Sequence, residues 1–447
     1  MLTRRRFITN SCALGVSAVS APMLVTDRQL PESNYRALVC INLAGGNDSF
    51  NMLVPSHAQQ YQAYLRDRGN LALSKSNLLD LPSKNSLSEK FSLHTGMREI
   101  RDLYANGELA FIANVGVLDS PFDAKRLPSE LLSHSGQISQ WQAQAGYSKA
   151  AMKSGWGGRM ADVLKKPSSN IEIPINISLS GPNIFQIGNQ TLPFNYKFQD
   201  FDSYSSSRSI GVDLNFLTQQ MAERAYHSKK AKKPLGELLL DQTICSAMND
   251  LPDLSSNFAS DPFSQQLCRV AEIIGSRQSL TSYRQIFYVS FDGWDHHHHL
   301  LANHAEMLPI LSQGLLSFRN TLSTLGVFDN VATFTVSEFG RSLTSNGSGS
   351  NHGWGGHQMI MGGGLNGAEV YGSYPELSDS NPLNIGGGVY APTTSYNQYF
   401  SEFARWMGVP LSKIGHVLPN LSNFSSPFSG TNNSIFFPNQ QTLGSNL

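Results

Sequence analysis

Apolar positions along the chain follow two rhythms. Short runs that are apolar or β-branched at nearly every position occur at Ala37–Leu43, Leu109–Val115, Ile175–Leu179, Gln285–Phe291, Val331–Val336 and Gln358–Met361. Runs of this length, several bounded by Gly, predict parallel strands covered on both faces. Between them lie longer stretches with helical spacing, Gly96–Ala105, Ser264–Gly275, Ala302–Leu325 and Tyr396–Met407. Strands interleaved with helices imply an α/β fold, a doubly wound and mainly parallel sheet flanked by helices. Ser-, Asp- and Asn-rich segments at 197–215 and 249–262 interrupt the rhythm, so 197–262 reads as a peripheral insertion. From Leu418 onward Asn, Ser and Pro predict an irregular tail over 418–447. No internal repeat is evident.

Charge sharpens this picture. Lys+Arg and Asp+Glu are both 33 in 447 residues, which argues against a nucleic-acid binder. The basic side is inflated by the N-terminus, where Arg4, Arg5 and Arg6 precede Phe7, Ile8 and an apolar stretch ending in small residues. That order is a signal-peptide pattern and resembles a twin-arginine address. It predicts residues 1–26 as signal and linker, the twin-arginine translocase as export partner, and a periplasmic or secreted bacterial protein. Without those 26 residues the chain has 30 basic and 33 acidic groups, a net charge near −3, and no run long enough for a membrane span. Three cysteines then remain, Cys40, Cys245 and Cys268. An oxidising compartment would permit a Cys245–Cys268 disulfide, although spacing does not decide it.

The polar residues with chemical potential follow the predicted strands. The first strand runs into Gly45-Gly46-Asn47-Asp48, the Gln285–Phe291 strand into Asp292-Gly293-Trp294-Asp295-His296, and the Val331–Val336 strand into Ser337-Glu338-Phe339-Gly340-Arg341. Asn351-His352-Gly353-Trp354-Gly355-Gly356-His357 leads into the next strand. Open α/β sheets bind ligands at the carboxyl ends of their strands. Carboxylates and imidazoles gathered there suit a divalent cation, Zn²⁺ or Mn²⁺, or Ca²⁺ if carboxylates dominate. Each piece also has a plain structural reading: Gly45–Asp48 as a turn, Glu338 and Arg341 as an ion pair, His352 as a hydrogen-bonded structural histidine. Gly362-Gly363-Gly364-Leu365-Asn366-Gly367 formally fits a dinucleotide fingerprint, but a poor helix start follows, so it reads as a turn. There is no Gly-x-Ser-x-Gly elbow and no phosphate-binding Gly-Lys-Ser/Thr loop.

Taken in this order, the Gly-Gly-Asn-Asp, Gly-Trp-Asp-His, Ser-Glu-Phe-Gly-Arg and Asn-His-Gly-Trp-Gly-Gly-His motifs resemble the domain of unknown function 1501 family, from about Arg36 to Val417. The resemblance implies one alkaline phosphatase-like domain over 36–417 and a metal-dependent hydrolase of phosphate or sulfate esters. It assigns Asp48, Asp292, His296, Glu338 and His352 to the metal. Phe339 stands where the superfamily often has an imidazole, and Asn351 where an Asp is common. Arg341 is the expected clamp for an anionic substrate, and His134, in Ser133-His134-Ser135-Gly136-Gln137, a substrate-side residue. Ser120, followed by Pro121, has the pattern of a helix N-cap and is the candidate nucleophile. The alternative expectation is a non-catalytic envelope protein that keeps the fold, and perhaps the metal, to bind a glycan or another partner.

Overall fold

The computed structural model describes residues 35–82, 90–128, 130–146, 153–165, 173–196, 233–424 and 435. The expected signal segment, most of the tail and the first part of the 197–262 insertion lie outside these residues. Of the insertion, the helix Lys233–Met248 is described.

Fourteen strands are described: β1 Arg36–Ala44, β2 Leu53–Pro55, β3 Leu78–Asp80, β4 Phe91–His94, β5 Leu109–Gly116, β6 Asn176–Ser178, β7 Phe194–Asn195, β8 Arg284–Asp292, β9 Val331–Val336, β10 Arg341–Ser345, β11 Ser350–His352, β12 Gly356–Gly362, β13 Val370–Tyr371 and β14 Thr394–Ser395. Nine form one sheet in the order β13-β5-β12-β9-β1-β8-β6-β7, with β14 also on β5. All pairings in it are parallel except those of β12, which runs against β5 and β9. A parallel return needs a long crossover. Between β9 and β12 the chain makes only the β10–β11 hairpin, so β12 comes back antiparallel.

Alternation along β1 shows why its sequence is apolar throughout. Val39, Ile41 and Leu43 pack into one core, beside the helices Arg98–Ala105, Pro262–Gly275 and Leu300–Thr324. Leu38 and Cys40 pack into the other, beside Trp156–Leu164, Tyr396–Trp406 and Leu411–Val417. Both faces are dry, so a period-2 polar pattern has no place. On the second face Trp156 stacks on Phe400 at 4.1 Å and Phe334 on Phe403 at 4.4 Å. The sequence-predicted strands and helices thus fall on observed ones, with shifts of at most two residues at their ends. The disulfide does not form: Cys40, Cys245 and Cys268 are all unbridged.

Register decides what the strand ends share. Ala44 pairs with Asp292 and Asn42 with Val336, so Gly45, Gly293 and Ser337 leave the sheet at nearly the same level. Because β12 runs the other way, its beginning lies at this end. Gly45 (φ +125°) passes so close to the Trp294–Asp295 backbone that a Cβ would come within 2.5 Å of the Asp295 nitrogen. Backbone atoms there have no rotamer to move. Gly45→Ala is expected to lower unfolding free energy by about 3 kcal/mol in a denaturant titration; an unchanged midpoint would contradict this close packing.

Candidate functional site

The glycine turn after β1 first serves as a cradle for Glu338. The Gly45 N–H donates to both carboxylate oxygens at 2.8 Å, and the Gly46 N–H to Oε2 at 2.9 Å. Ser337 ties the two strand ends together, accepting from the Asn47 N–H at 2.8 Å and donating to the Leu43 carbonyl at 2.7 Å. Glu338 is 1% exposed, so these donors stand in for the water it has lost.

Beside Glu338 three side chains from distant segments converge. Ligand atoms of His134, Asp295 and His352 all lie within 4.8 Å of one another. His134 opens the helix His134–Ala143, whose N-cap Ser133 accepts from the Gly136 N–H. Its Nδ1 lies 3.9 Å from Glu338 Oε1 and its Nε2 3.6 Å from Asp295 Oδ2. An imidazole from a segment about two hundred residues earlier in the chain thus stands beside Glu338. Phe339 packs against it, its ring 4.9 Å from that of His134 and 4.5 Å from that of His352.

Electrostatics fit a cation at this cluster. Burial disfavours charge on His134, but Asp295 and Glu338 outweigh it and push its pKa up to about 9. Burial also opposes ionisation of Asp295, yet His134, His352 and Arg341 hold it well below the usual carboxylate range. The His352 Nδ1 is 2.7 Å from the Leu132 carbonyl, which can only accept, so Nδ1 donates there and Nε2 faces the cluster. That nitrogen sits 3.5 Å from Asp295 Oδ1 and 2.9 Å from His297 Nε2. An imidazole fixed by a backbone carbonyl, with its other nitrogen beside a carboxylate, is the usual arrangement of a metal-ligating histidine. His297 adds a further nitrogen 3.1 Å from Asp295 Oδ1.

Of the remaining sequence candidates, the structure joins Arg341 to this cluster, while Ser120 makes its contacts within its own loop. Arg341 donates to Asp295 Oδ1 at 2.6 Å and to the Ser350 carbonyl, so its guanidinium orients the carboxylate. Asp292 sits at the rim, accepting from the Ser290 hydroxyl; desolvation and the nearby Glu338 charge raise its pKa although its side chain reaches solvent. Ser120 donates to Asp119 at 3.1 Å and accepts from Arg126 at 3.4 Å within its own loop. The helix expected from Pro121 does not form. Turns occupy the segment, where Asp123 accepts the Lys125 N–H at 2.9 Å.

Asp48 and His296 lie in a deeper pocket. Asp48 is wholly buried; Oδ2 pairs with Arg68 and accepts from Ser350 Oγ at 2.7 Å. Burial favours its neutral form, but the Arg68 guanidinium and the Ser350 hydroxyl keep the pKa below the ordinary value. Arg68 spends its other donors on Asn51 and on the Ser342 and Leu343 carbonyls. Burial lowers His296 to a pKa of about 4 and His304 to about 3, so both are neutral imidazoles. Asp295, His297 and His304 are not among the ligands that the resemblance implies, although Asp295 lies in the Gly-Trp-Asp-His motif and His297 follows it directly.

These features define a class: an α/β protein with a carboxylate–imidazole cluster at the carboxyl ends of its central strands. The chain belongs to the family described as Protein of unknown function (DUF1501), which matches residues 35–386. No curated protein matches it. Solved structures that overlap it include the C-terminal periplasmic domain of EcEptC from Escherichia coli (10% identity, 89% of this chain and 88% of that one, TM-score 0.36). Others are the lipoteichoic acid synthase LtaP from Listeria monocytogenes (9%, 87% and 80%, 0.33) and a putative sulfatase from Bacteroides thetaiotaomicron (11%, 86% and 75%, 0.30). Overlaps this loose define no shared activity. No helix among the described residues is long and apolar enough to cross a membrane.

One consequence concerns Arg68. Removing it leaves the Asp48 carboxylate buried without its counter-charge, so Arg68→Ala should destabilise by about 3–5 kcal/mol. Adding Asp48→Asn should recover part of that loss. Equal unfolding midpoints for wild type and Arg68→Ala would show that the pair does not hold the deeper pocket together.

Proposed function

We propose that the protein is an exported, metal-dependent hydrolase of phosphate or sulfate esters. The observation that carries this reading is the convergence of His134, Asp295 and His352 beside Glu338 at the strand ends. Those three residues would hold a divalent cation, Zn²⁺ or Mn²⁺ by the chemistry of two imidazoles and one carboxylate. The cation, when bound, supplies a Lewis acid for an ester's non-bridging oxygen. Arg341 keeps Asp295 in place, the Leu132 carbonyl sets the His352 tautomer, and Glu338 holds a negative charge on the side of His134. Ser120 is the proposed nucleophile, on the loop that leads toward the helix bearing His134. The N-terminal arginine pattern supports export to the periplasm or beyond, with the twin-arginine translocase as the partner.

The protein, purified without a metal-affinity column, should contain a divalent metal and hydrolyse members of a panel of aryl phosphates and sulfates. Asp295→Ala and His352→Ala should each lower turnover by roughly two orders of magnitude, whereas Ser120→Ala should abolish it with the metal retained. A metal-free wild type with no activity after Zn²⁺ or Mn²⁺ addition would sink the reading. Metal retained at the cluster without turnover on any ester would favour an envelope protein that binds a glycan or anionic ligand.

A further inference from the structure

The cluster holds one nitrogen more than a catalytic cation needs. His297 Nε2 stands 2.9 Å from His352 Nε2 and 3.1 Å from Asp295 Oδ1, and that oxygen is 3.5 Å from His352 Nε2. Ligands of a tetrahedral zinc, each about 2.05 Å from the ion, lie about 3.3 Å from one another. The three atoms therefore outline one face of such a tetrahedron. His134, with Nε2 3.6 Å from Asp295 Oδ2, supplies the remaining corner. Four protein ligands close a zinc site, whereas catalytic sites keep one position for water or substrate. Hydrolysis at this cluster thus requires one of the four to leave.

The four side chains are not held alike. Asp295 accepts from Arg341 at 2.6 Å, and His352 donates to the Leu132 carbonyl at 2.7 Å. His134 lies between Asp295 and Glu338. His297 is the most exposed of the three imidazoles, at 37% against 17% for His134 and 20% for His352. Its Nδ1 has no hydrogen-bond partner among the described residues. Metal-ligating histidines almost always donate that second N–H to a carboxylate, a carbonyl or water, which fixes the ring. His297 leaves this role to solvent. Its backbone, by contrast, is fixed. The N–H donates to the Asp295 carbonyl at 3.0 Å, and the carbonyl accepts from Asn346 Nδ2 at 3.0 Å. Gly349 packs so closely that a Cβ there would come within 2.4 Å of the His297 carbonyl carbon. Releasing the imidazole is therefore a side-chain rotation that leaves the loop in place.

We propose that His297 is a displaceable fourth ligand, which closes the cation site at rest and turns out to solvent when an anionic ester takes its corner. The inference rests on the hydrolase reading and adds how that site is gated. A resident ligand competes with the incoming anion, whose apparent affinity falls with the fraction of molecules in which the ring is already turned out.

Crystals of the full chain loaded with ZnCl₂ test this by anomalous scattering at the zinc edge, before and after a soak in inorganic phosphate. The expected peak lies about 2.1 Å from Nε2 of both His297 and His352. After the soak the zinc should remain, with His297 turned away and a phosphate oxygen in its corner. Zinc held by His134, Asp295 and His352 with His297 already turned away overturns the proposal and leaves the hydrolase reading standing. His297 still on the zinc at saturating phosphate does the same, and no zinc at the cluster removes both. In solution, Zn²⁺-saturated His297→Ala should bind phosphate more tightly than wild type, by about tenfold if the ring is turned out in about a tenth of molecules at rest. Its Zn²⁺ affinity should fall by about tenfold. Equal or weaker phosphate binding counts against displacement. If His297→Ala does not fold, the wild-type crystals decide.

Discussion

The wholly buried pair of Asp48 and Arg68 sets the terms for everything at the strand ends. Two charges removed from water are tolerated only when each is paired and its remaining hydrogen-bonding capacity is used. Arg68 meets that demand by gathering the side chain of Asn51 and the backbone of β10, while on Asp48 Oδ2 also accepts from Ser350 and Oδ1 has no hydrogen-bond partner among the described residues. The carbonyl of the same Ser350 receives Arg341, which in turn holds Asp295. One continuous network of buried charge therefore runs from the turn after β1 to the carboxylate of the candidate metal cluster. Deleting either member of the Asp48–Arg68 pair strands the other's charge in a medium that cannot solvate it, whereas Asp295 at the far end is exposed to solvent.

Sheet topology supplies the second constraint. In a wholly parallel sheet the residues before β12 would lie at the amino ends of its neighbours, far from Asp295. The short β10–β11 hairpin forbids a crossover, so β12 returns antiparallel and its start falls beside the ends of β1, β8 and β9. That reversal delivers His352 to the site. It also carries Gly362 and the glycine-rich turn after it toward the opposite end, which fits that segment's structural role.

Most of the fold was legible because burial on both faces leaves a strong signal. The apolar runs at 37–43, 285–291 and 331–336 each become central strands, and the helical spacing at 302–325 becomes the Leu300–Thr324 helix. Local rules worked less well where the chain is irregular. Ser120-Pro121 satisfies the local pattern of a helix start, but polar turn bonds around Asp123 compete successfully with a helix there. The disulfide was open in sequence and does not form: Cys245 lies beside the Tyr196 hydroxyl and Cys268 in the core against the sheet.

For the site, the amino-acid sequence by itself determined which segments meet: strand-ending motifs in an α/β pattern must gather at one edge, since parallel strands share a direction. It could not assign side chains within that edge. Asp292 and Asp295 are three residues apart, and only the path of the Gly293–Trp294 turn decides that Asp295 joins His134 and His352 while Asp292 stays at the rim. His134 opens a helix buried on nearly all sides, and its partners Asp295 and His352 lie more than a hundred residues away in the chain. Such pairings are products of three-dimensional packing, and the tertiary structure alone fixes them.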